Sequence, residues 1–401
     1  MPMMNLERER EVISLCQSLI QHKSYSGRED RVAGCMKRIF ARLGFDEIVV
    51  DEYGSVLGCI KGNRSGPVIL LDGHIDTVPV PDESAWKHAA FGGELADGNI
   101  YGRGASDMKG AVAAMVTGAA YFAADTRRDF AGEVWVSGVV HEECFEGLAA
   151  RRISERIRPS YVVIGEASEL NLKRGQRGRA EIVVETFGKP AHSANPHAGI
   201  NAVYKIAALI QEIRKLPAPK HPILGEGILE LTDIKSSPYP GASVVPDDCR
   251  ATYDRRLLVG ETAASVLAPI QAVMDSMERE DAQFKARVQI ASGTELCYSG
   301  AEISGQRFFP GWLFDENDEF VQAALAGLRR AGLNPEITQY SFCTNGSHYA
   351  GEAGIPTVGF GPSRENLAHT IDEFIEVEQL LKAVPGYYGI LSAVLGKWAR
   401  Q

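Results

Sequence analysis

The chain has 401 residues, of which 45% are hydrophobic and 23% are charged, and this length predicts two domains. Its formal net charge is −10, with 42 basic and 52 acidic residues. It contains no basic block and no run of 18 apolar residues, which argues against nucleic acid, an anionic membrane surface or a membrane span. The charged N-terminus lacks the apolar region of a secretory signal, and seven scattered cysteines favour a reducing, cytoplasmic location.

The first 175 residues alternate helical and strand patterns, which is typical of an α/β sandwich with a largely parallel sheet. Apolar residues at helical spacing predict helices over residues 6–20, 29–43 and 110–124. The predicted strands are the apolar runs Ile48–Val50, Val56–Ile60, Val68–Leu71, Val134–Val140 and Tyr161–Ile164.

From Arg179 onward the predicted order becomes β-α-β-β-α-β, which is the order of a ferredoxin-like unit that can be inserted into another domain. These elements are Ala180–Phe187, Ile200–Leu216, Gly227–Ile234, Cys249–Leu257, Glu261–Arg279 and Ala286–Ala291. The polar, Gly-rich segment 292–316 is predicted to be a returning linker, followed by helix 317–331, strand Ile355–Phe360 and helix 374–396. We therefore predict a catalytic metal-binding domain made of residues 1–178 and 296–401, with residues 179–295 inserted between its two parts.

Five acidic and imidazole residues lie in local contexts that suit metal ligands. They follow apolar, β-branched runs or lie in Gly-flanked loops, where functional side chains are usually found. They are His74, Asp107, Glu143, Glu166 and His369. Two imidazoles and three carboxylates suit a pair of Zn²⁺ ions, with Co²⁺ or Mn²⁺ as alternatives. The chain is therefore predicted to be a metal-dependent hydrolase.

Two further carboxylates have contexts that suit supporting roles. Asp76 lies two residues after His74, where it could accept a hydrogen bond from the imidazole and fix its tautomer. Glu142 and Glu143 are adjacent, so one could coordinate metal while the other takes a proton from metal-bound water. Simpler alternatives are a polar strand end at His74, a helix cap at Asp107, and a solvated acidic turn at the glutamate pair.

His192 lies in the segment KPAHSANPHAG, at the start of the inserted domain's first helix. Small residues follow it and leave space, so its imidazole could donate to a developing oxyanion. The other histidines outside the ligand set are interpreted as structural.

The segments GHIDTVP, YGRGASDMKG, HEE, GEAS, PAHSANP and AHTIDE occur in this order between about residues 70 and 375. Together they resemble the acetylornithine deacetylase, succinyl-diaminopimelate desuccinylase, aminoacylase and carboxypeptidase G family of dinuclear zinc hydrolases. The resemblance implies a zinc-exopeptidase-like three-layer α/β sandwich. It also implies that the inserted α+β ferredoxin-like domain acts as a lid and commonly mediates homodimerisation.

The resemblance also implies how the ligands are shared between two Zn²⁺ ions per subunit. Asp107 would bridge the ions, His74 and Glu166 would complete one site, and Glu143 and His369 would complete the other. Glu142 would be the general base, Asp76 would orient His74, and His192 would stabilise the tetrahedral intermediate, often from the neighbouring subunit.

For the substrate, the resemblance implies that Arg256 binds a carboxylate, with Arg255 as the competitor, and that Thr344 and Asn345 line the pocket. Ser243 stands where the desuccinylases tend to carry Asn, and the pocket loop reads CTNGS rather than the Asp-Gly form of the aminoacylases. These departures spare the metal ligands but weaken any transfer of substrate identity.

The expected reaction is removal of an acyl group from an N-acyl amino acid, by attack of a metal-bound hydroxide. Alternatives with the same centre are a dipeptidase or carboxypeptidase acting on short peptides, or an aminohydrolase acting on a small aromatic or heterocyclic substrate. A non-catalytic metal-binding protein would be expected to have lost the base or a ligand, yet Glu142 and all five ligand positions are present.

Overall fold

The computed structural model describes residues 4–396. The α-helices of this range are α1 Leu6–Ile20, α2 Asp30–Arg42, α3 Gly110–Asp125, α4 Leu148–Ile157, α5 Ala202–Ile213, α6 Ala263–Glu280, α7 Glu319–Arg330 and α8 Val377–Leu395. None of the helices within residues 4–396 is long and apolar enough to cross a membrane.

The strands up to the predicted inserted domain are β1 Glu47–Val50, β2 Val56–Lys61, β3 Arg64–Asp72, β4 Glu94–Ala96, β5 Asn99–Tyr101, β6 Ala131–Gly138, β7 Tyr161–Ile164 and β8 Leu172–Gln176. The next group is β9 Gly178–Phe187, β10 Lys220–His221, β11 Gly225–Glu226, β12 Ile228–Ser237, β13 Asp248–Leu257 and β14 Lys285–Ile290. The remaining strands are β15 Ser292–Leu296, β16 Glu302–Gln306, β17 Phe308–Phe309, β18 Trp312–Leu313, β19 Ile337–Tyr340, β20 Thr357–Gly359 and β21 Phe374–Glu376.

The chain divides into two compact units. The first contains residues up to Gln176, Thr294–Ser304 and the chain from Leu313, and the second contains Arg177–Gly293 and Gly305–Trp312. The predicted boundaries assigned all of residues 296–401 to the catalytic domain. The segment Gly305–Trp312 departs from that assignment, because β17 pairs with the start of β9 in the second unit.

A mixed sheet forms the centre of the first unit, with the strand order β1-β2-β6-β3-β7-β20-β8 and β19 beside β8. Its middle strands β6, β3, β7 and β20 are parallel, while the pairs β1–β2, β2–β6 and β20–β8 are antiparallel. The helix α3 is rich in Ala and Gly and is buried from Gly110 to Ala123, so it packs closely within the apolar core beside α8. The predicted three-layer α/β sandwich is confirmed, with more antiparallel pairing than was expected at the sheet edges.

The second unit has a five-stranded antiparallel sheet, with four strands in the order β12-β13-β9-β14, the short β17 beside β9, and α5 and α6 packed on it. Strand order and chain order together are those of the predicted ferredoxin-like unit. The core of this unit is apolar and comes from both helices and three strands. The predicted linker 292–316 differs from the structure, because four short strands, β15 to β18, occur within it.

Candidate metal centre

The ends of the parallel strands bring three of the predicted ligands together. Strand β3 ends at Asp72, two residues before His74, and β7 ends at Ile164, two residues before Glu166. Strand β6 lies beside β3 and ends shortly before Glu143. Because the carboxyl ends of parallel strands lie at one edge of a sheet, the three side chains point into the same region.

A glycine precedes both His74 and Glu166, and close packing explains each one. A Cβ at Gly73 would lie 2.6 Å from Cε of Met115 and 2.9 Å from Cε of Met108. A Cβ at Gly165 would meet the same two methionine side chains at 2.9 and 2.8 Å. The glycines therefore let the methionines fill the space directly beneath the two ligand-bearing turns.

Asp107 connects the two imidazoles through its two carboxylate oxygens. Its Oδ1 lies 2.8 Å from Nε2 of His74, and its Oδ2 lies 3.1 Å from Nε2 of His369. The helix α3 begins only at Gly110 and has no side-chain cap, so the alternative of a helix cap at Asp107 does not hold. One carboxylate between two separate imidazoles is the arrangement needed to bridge two cations.

Each imidazole also has a carboxylate of its own. Nε2 of His74 lies 3.5 Å from Oε1 of Glu166, and Nε2 of His369 lies 3.1 Å from Oε2 of Glu143. The side chain of His369 is half exposed, whereas the other four predicted ligands are buried or nearly so. All five predicted ligands therefore converge in the first unit.

His74 is oriented by its neighbour Asp76, partly in an unexpected way. Nδ1 of His74 lies 3.0 Å from the backbone oxygen of Asp76 and 3.5 Å from its carboxylate, so Nδ1 donates to Asp76 and Nε2 is the nitrogen that faces Asp107. The carboxylate of Asp76 accepts the backbone N–H groups of Glu142 and Glu143 and the hydroxyl of Ser26. Asp76 therefore positions the glutamate pair as well as the imidazole.

Glu142 is buried, and its Oε1 has no hydrogen-bond partner among the described residues. Donor atoms of His74, Glu142 and Glu166 all lie within 4.8 Å of one another. A solvated acidic turn is therefore excluded for Glu142. An unpartnered carboxylate oxygen beside the ligand set is free to accept a proton from a water held there.

Burial and mutual charge shift the pKa of each acid in this cluster. Burial, together with the charge of Asp107, raises the pKa of Glu166 to about 8. Burial also raises the pKa of Glu142 well above its usual value, and the charges of nearby Glu166 and Glu143 add to the effect. Burial alone would raise the pKa of Asp107 too, but the hydrogen bonds from His369 and His74 hold it below its usual value.

The pKa values of both imidazoles are raised as well, because carboxylates surround them and favour the protonated rings. Hydrogen bonds to Asp107 and Glu143 raise the pKa of His369 to about 10. Burial opposes the charged form of His74, yet its contacts with Asp107 and Asp76 raise its pKa well above the usual value. Metal cations can take the place of the protons that this cluster binds so strongly. Its nitrogen and oxygen donor atoms suit Zn²⁺. The residues present therefore fit a pair of metal ions.

We expect the metal-free protein to lose stability as the pH rises from about 5 to about 9. The pKa values of Glu166 and His369 are raised in the folded chain, so the folded state binds more protons than the unfolded state over this interval. The stability that these protons contribute is present at low pH and is lost as the pH rises through the folded-state values. Urea unfolding of EDTA-treated protein at several pH values measures this slope.

The variant Glu166→Gln should flatten that slope over the part of the interval in which Glu166 titrates. The stability of the metal-loaded protein should instead rise with pH over this interval, because the ligands must lose their protons to bind metal. An EDTA-treated protein whose stability rises with pH would contradict the electrostatic description of the cluster.

The two predicted pocket residues of the first unit are buried in polar networks. The amide of Asn345 donates to Asp72 and accepts the backbone N–H of Gly147, at 3.0 and 2.9 Å. The hydroxyl of Thr344 donates to Oε1 of Gln176 at 2.6 Å. These contacts fix the loop that follows β19, and the contact of both residues with substrate stays a prediction.

The predicted residues of the second unit lie on its surface or in its own ion pairs. His192 is exposed, and Arg256 is paired with Asp254 at 2.8 Å. Arg255 is buried, pairs with Glu261 at 2.5 Å and also reaches the backbone oxygen of Ile228.

Three residues near the ligands were missed by the sequence analysis. Asp72 is buried and accepts from Ser137, Asn345 and Tyr349, and a charge at the end of an apolar strand could have identified it. Glu373 and Arg103 are buried and paired with each other. No local pattern identifies them, because their partners are remote in sequence.

Known families and proteins resemble this chain over most of its length. A model of peptidase family M20/M25/M40 matches residues 70–393. The uncharacterized protein YgeY of Escherichia coli strain K12 is 32% identical over 368 residues, which cover 89% of this chain and 88% of that protein. The succinyl-diaminopimelate desuccinylase of Cereibacter sphaeroides strain ATCC 17029 is 31% identical over 390 residues, which cover 93% of this chain and 96% of the enzyme.

A solved structure agrees with the fold. The Bacillus subtilis protein YXEP, described as a dinuclear metal binding peptidase from the M20 family, superposes with a TM-score of 0.73 at 17% identity. The match covers 98% of this chain and 99% of YXEP. The resemblance drawn from the motifs is thereby confirmed at the level of family and fold. The chain belongs to peptidase family M20/M25/M40, and it is a hydrolase of amide or peptide bonds.

Proposed function

We propose that this protein is an amidohydrolase that removes the acyl group from an N-acyl amino acid, as a deacetylase or desuccinylase does. It would use two Zn²⁺ ions per subunit, with Co²⁺ or Mn²⁺ as alternatives. One observation carries the proposal: the two oxygens of Asp107 face two different imidazoles, and each imidazole has a second carboxylate beside it. The similarity to a desuccinylase over 93% of the chain supports an acylated amino acid as the substrate class.

When bound, the two cations would lower the pKa of a water and polarise the substrate carbonyl. His74 and Glu166 would hold one cation, Glu143 and His369 the other, and Asp107 both. Oε1 of Glu142, which lacks a hydrogen-bond partner among the described residues, would take the proton of the attacking water. Glu142 would then deliver that proton to the leaving amine as the amide bond breaks.

Asp76 would hold Glu142 and the neighbouring ligands in fixed positions. Its carboxylate accepts the backbone N–H groups of Glu142 and Glu143, and its backbone oxygen fixes the tautomer of His74. Asp76 therefore contacts the proposed base Glu142 and one proposed ligand of each cation, Glu143 and His74.

His192 would donate to the oxyanion of the tetrahedral intermediate. Its Nδ1 accepts the backbone N–H of Ala194 at 3.0 Å, so the proton of the neutral ring lies on Nε2. A neutral imidazole with Nε2–H exposed is a hydrogen-bond donor that needs no change of protonation state.

We expect His192→Ala to fold normally and to reduce turnover by about 10²- to 10³-fold, which is the usual effect of removing one oxyanion donor. Steady-state kinetics of the purified variant measure the loss, and His197→Ala is the control because His197 lies on the same exposed loop. Wild-type turnover in His192→Ala would rule out this role.

For the substrate carboxylate we propose Arg256 rather than Arg255. Arg255 is buried and held by Glu261, whereas about a third of the side chain of Arg256 is exposed, at 31%. Thr344 and Asn345 would shape the pocket wall indirectly through the loop that they hold. Reduced affinity for N-acyl amino acids in Arg256→Ala, but not for the corresponding N-acyl amines, would identify the carboxylate contact.

A screen of substrates tests the proposed function. Metal-supplemented enzyme is assayed on N-acetyl and N-succinyl amino acids, on dipeptides and on heterocyclic amines, with an EDTA-treated control. Hydrolysis of an acyl amino acid that EDTA abolishes supports the proposal. Cleavage of dipeptides alone would favour the peptidase alternative, which the family designation also supports, and deamination alone would favour an aminohydrolase.

Two further features belong to the proposal. All seven cysteines are free, which supports a cytoplasmic, reducing environment.

The edge strand β12 of the second unit exposes Ile228 and Ile234. An exposed apolar edge strand favours pairing with another copy, so we propose a homodimer. Sedimentation analysis measures the oligomeric state directly.

A further inference from the structure

We propose that Glu373, acting with Arg103, is a positioning residue that sets the metal affinity of the centre by holding two ligands from distant segments of the chain. This inference rests on the proposed metal centre and adds two residues to it. Neither side chain is placed among the metal ligands or the reacting groups. Both are buried within the first unit.

One carboxylate oxygen of Glu373 holds the loop that carries the bridging aspartate. Its Oε1 accepts the backbone N–H of Ser106 at 2.9 Å and that of Asp107 at 3.1 Å. Buried backbone N–H groups need an acceptor, and here a single side chain serves two successive ones. The position of the Asp107 backbone therefore depends directly on Glu373.

The other oxygen of Glu373 connects to the segment that carries His369. Its Oε2 accepts from Nη1 of Arg103 at 2.5 Å, and Nη2 of Arg103 donates to the backbone oxygen of His369 at 3.3 Å. His369 has a φ of 63°, a conformation that non-glycine residues adopt only with support from their surroundings. Arg103 supplies such support at the carbonyl group of this residue.

The backbone around these side chains reinforces the same connection. Strand β21, which starts directly after Glu373, pairs with β5, which ends two residues before Arg103. The backbone N–H of Gly102 donates to the backbone oxygen of Glu373 at 2.8 Å. The β5–β21 pair fixes the segments that carry Arg103 and Glu373 relative to each other. The hydrogen bonds of these two side chains then hold the backbone of Asp107 and of His369.

The consequence for metal binding follows from bond lengths. Ligand bonds to Zn²⁺ are only about 2 Å long, so a small shift of Asp107 or His369 weakens coordination. Loss of an outer hydrogen-bond partner of a metal ligand typically lowers metal affinity by about 10- to 100-fold. A buried ion pair with a purely structural role would instead change the stability of the fold and leave the affinity unchanged.

Two variants test the Glu373–Arg103 bond and the Arg103–His369 bond separately. In Glu373→Gln the amide oxygen can still accept the two backbone N–H groups, but the charge-assisted bond from Arg103 is lost. In Arg103→Lys a cation remains beside Glu373, but the second nitrogen that reaches His369 is absent. The matched control is Glu378→Gln, because Glu378 is exposed and pairs with Lys382 one helical turn away.

Each protein is stripped of metal with EDTA and titrated with Co²⁺, followed by calorimetry and by the visible absorption of the bound ion. We expect wild type and Glu378→Gln to bind two ions alike. Glu373→Gln and Arg103→Lys should bind at least one ion about 10- to 100-fold more weakly, with an altered absorption spectrum.

Wild-type affinity for both ions in both variants would overturn the inference, even if the variants melt at lower temperature. If Glu373→Gln fails to fold, the affinity of Arg103→Lys decides alone. Failure of the wild-type protein to bind two ions would overturn the proposed metal centre itself, and this outcome is distinct from a defect confined to the variants.

Discussion

Replacing Glu142 by glutamine is expected to reduce hydrolysis by about 10²- to 10⁴-fold while two metal ions remain bound. Glutamine has the same shape but cannot take a proton from water. Glu142 is buried with a strongly raised pKa, so its replacement by a neutral group should leave the metal-free fold at least as stable as before. Turnover, metal content by elemental analysis and urea unfolding measure the three parts of this expectation.

The control for this variant is Glu155→Gln on α4, since Glu155 is exposed and pairs with Arg152. It should have wild-type turnover and metal content. Unchanged hydrolysis in Glu142→Gln would remove Glu142 as the general base. Loss of one metal ion from Glu142→Gln would instead place Glu142 among the ligands, which its closeness to His74 and Glu166 makes a necessary check.

Asparagine at position 107 is expected to prevent the binding of two metal ions and to reduce activity by well over about 10²-fold, because losing a bridging ligand should exceed the effect of losing an outer partner. The carboxylate of Asp107 faces both His74 and His369, and an amide cannot provide two anionic oxygens. Metal titration of EDTA-treated protein should therefore give one ion or none per chain.

Asp129→Asn is the matched control, because Asp129 is exposed and pairs with Arg64 at the surface. It should bind metal as the wild type does. Two tightly bound ions in Asp107→Asn would show that the bridge is not needed, and the assignment of the two sites would have to be revised.

The positions of most predicted ligands follow from patterns that the sequence carries locally. Apolar runs predict buried strands, and His74 and Glu166 each come two residues after such a strand ends. Parallel pairing then brings these ends to one edge without any further information. The convergence of His74 and Glu166 could therefore be predicted from local pattern. Asp107 and His369 do not directly follow a parallel strand, so only the order of the motifs predicts that they join the same site.

The supporting residues could not be predicted in the same way. Glu373 contacts backbone groups 266 and 267 residues away, and nothing in the sequence IDEF distinguishes a buried carboxylate from a solvated one. Asp76 was expected to accept from the imidazole through its side chain, but the backbone oxygen makes the shorter contact. Such contacts depend on tertiary packing rather than on local pattern.

Strands β8 and β19, at one side of the central sheet, were also missed, for a different reason. Strand β8 reads LKRGQ and β19 reads ITQY, so neither has a long apolar run. They form because neighbouring strands supply backbone partners, and β-propensity is strongly dependent on such context. The prediction of a linker over residues 292–316 was wrong for a similar reason, since the short strands in this segment are defined by pairing alone.

The location of His369 also affects how the protein can be made in a cell. Four of the five ligands leave the ribosome within the first 166 residues, whereas the fifth follows about 200 residues later, in the segment whose strand β21 pairs with β5. Domains tend to fold in the order in which they are synthesised, but this pairing forms only after about 270 residues that follow β5 have been added. Under the proposed function, the nascent polypeptide would therefore lack a complete ligand set while residues 167–369 are being made, and the second cation would bind only after His369 has emerged.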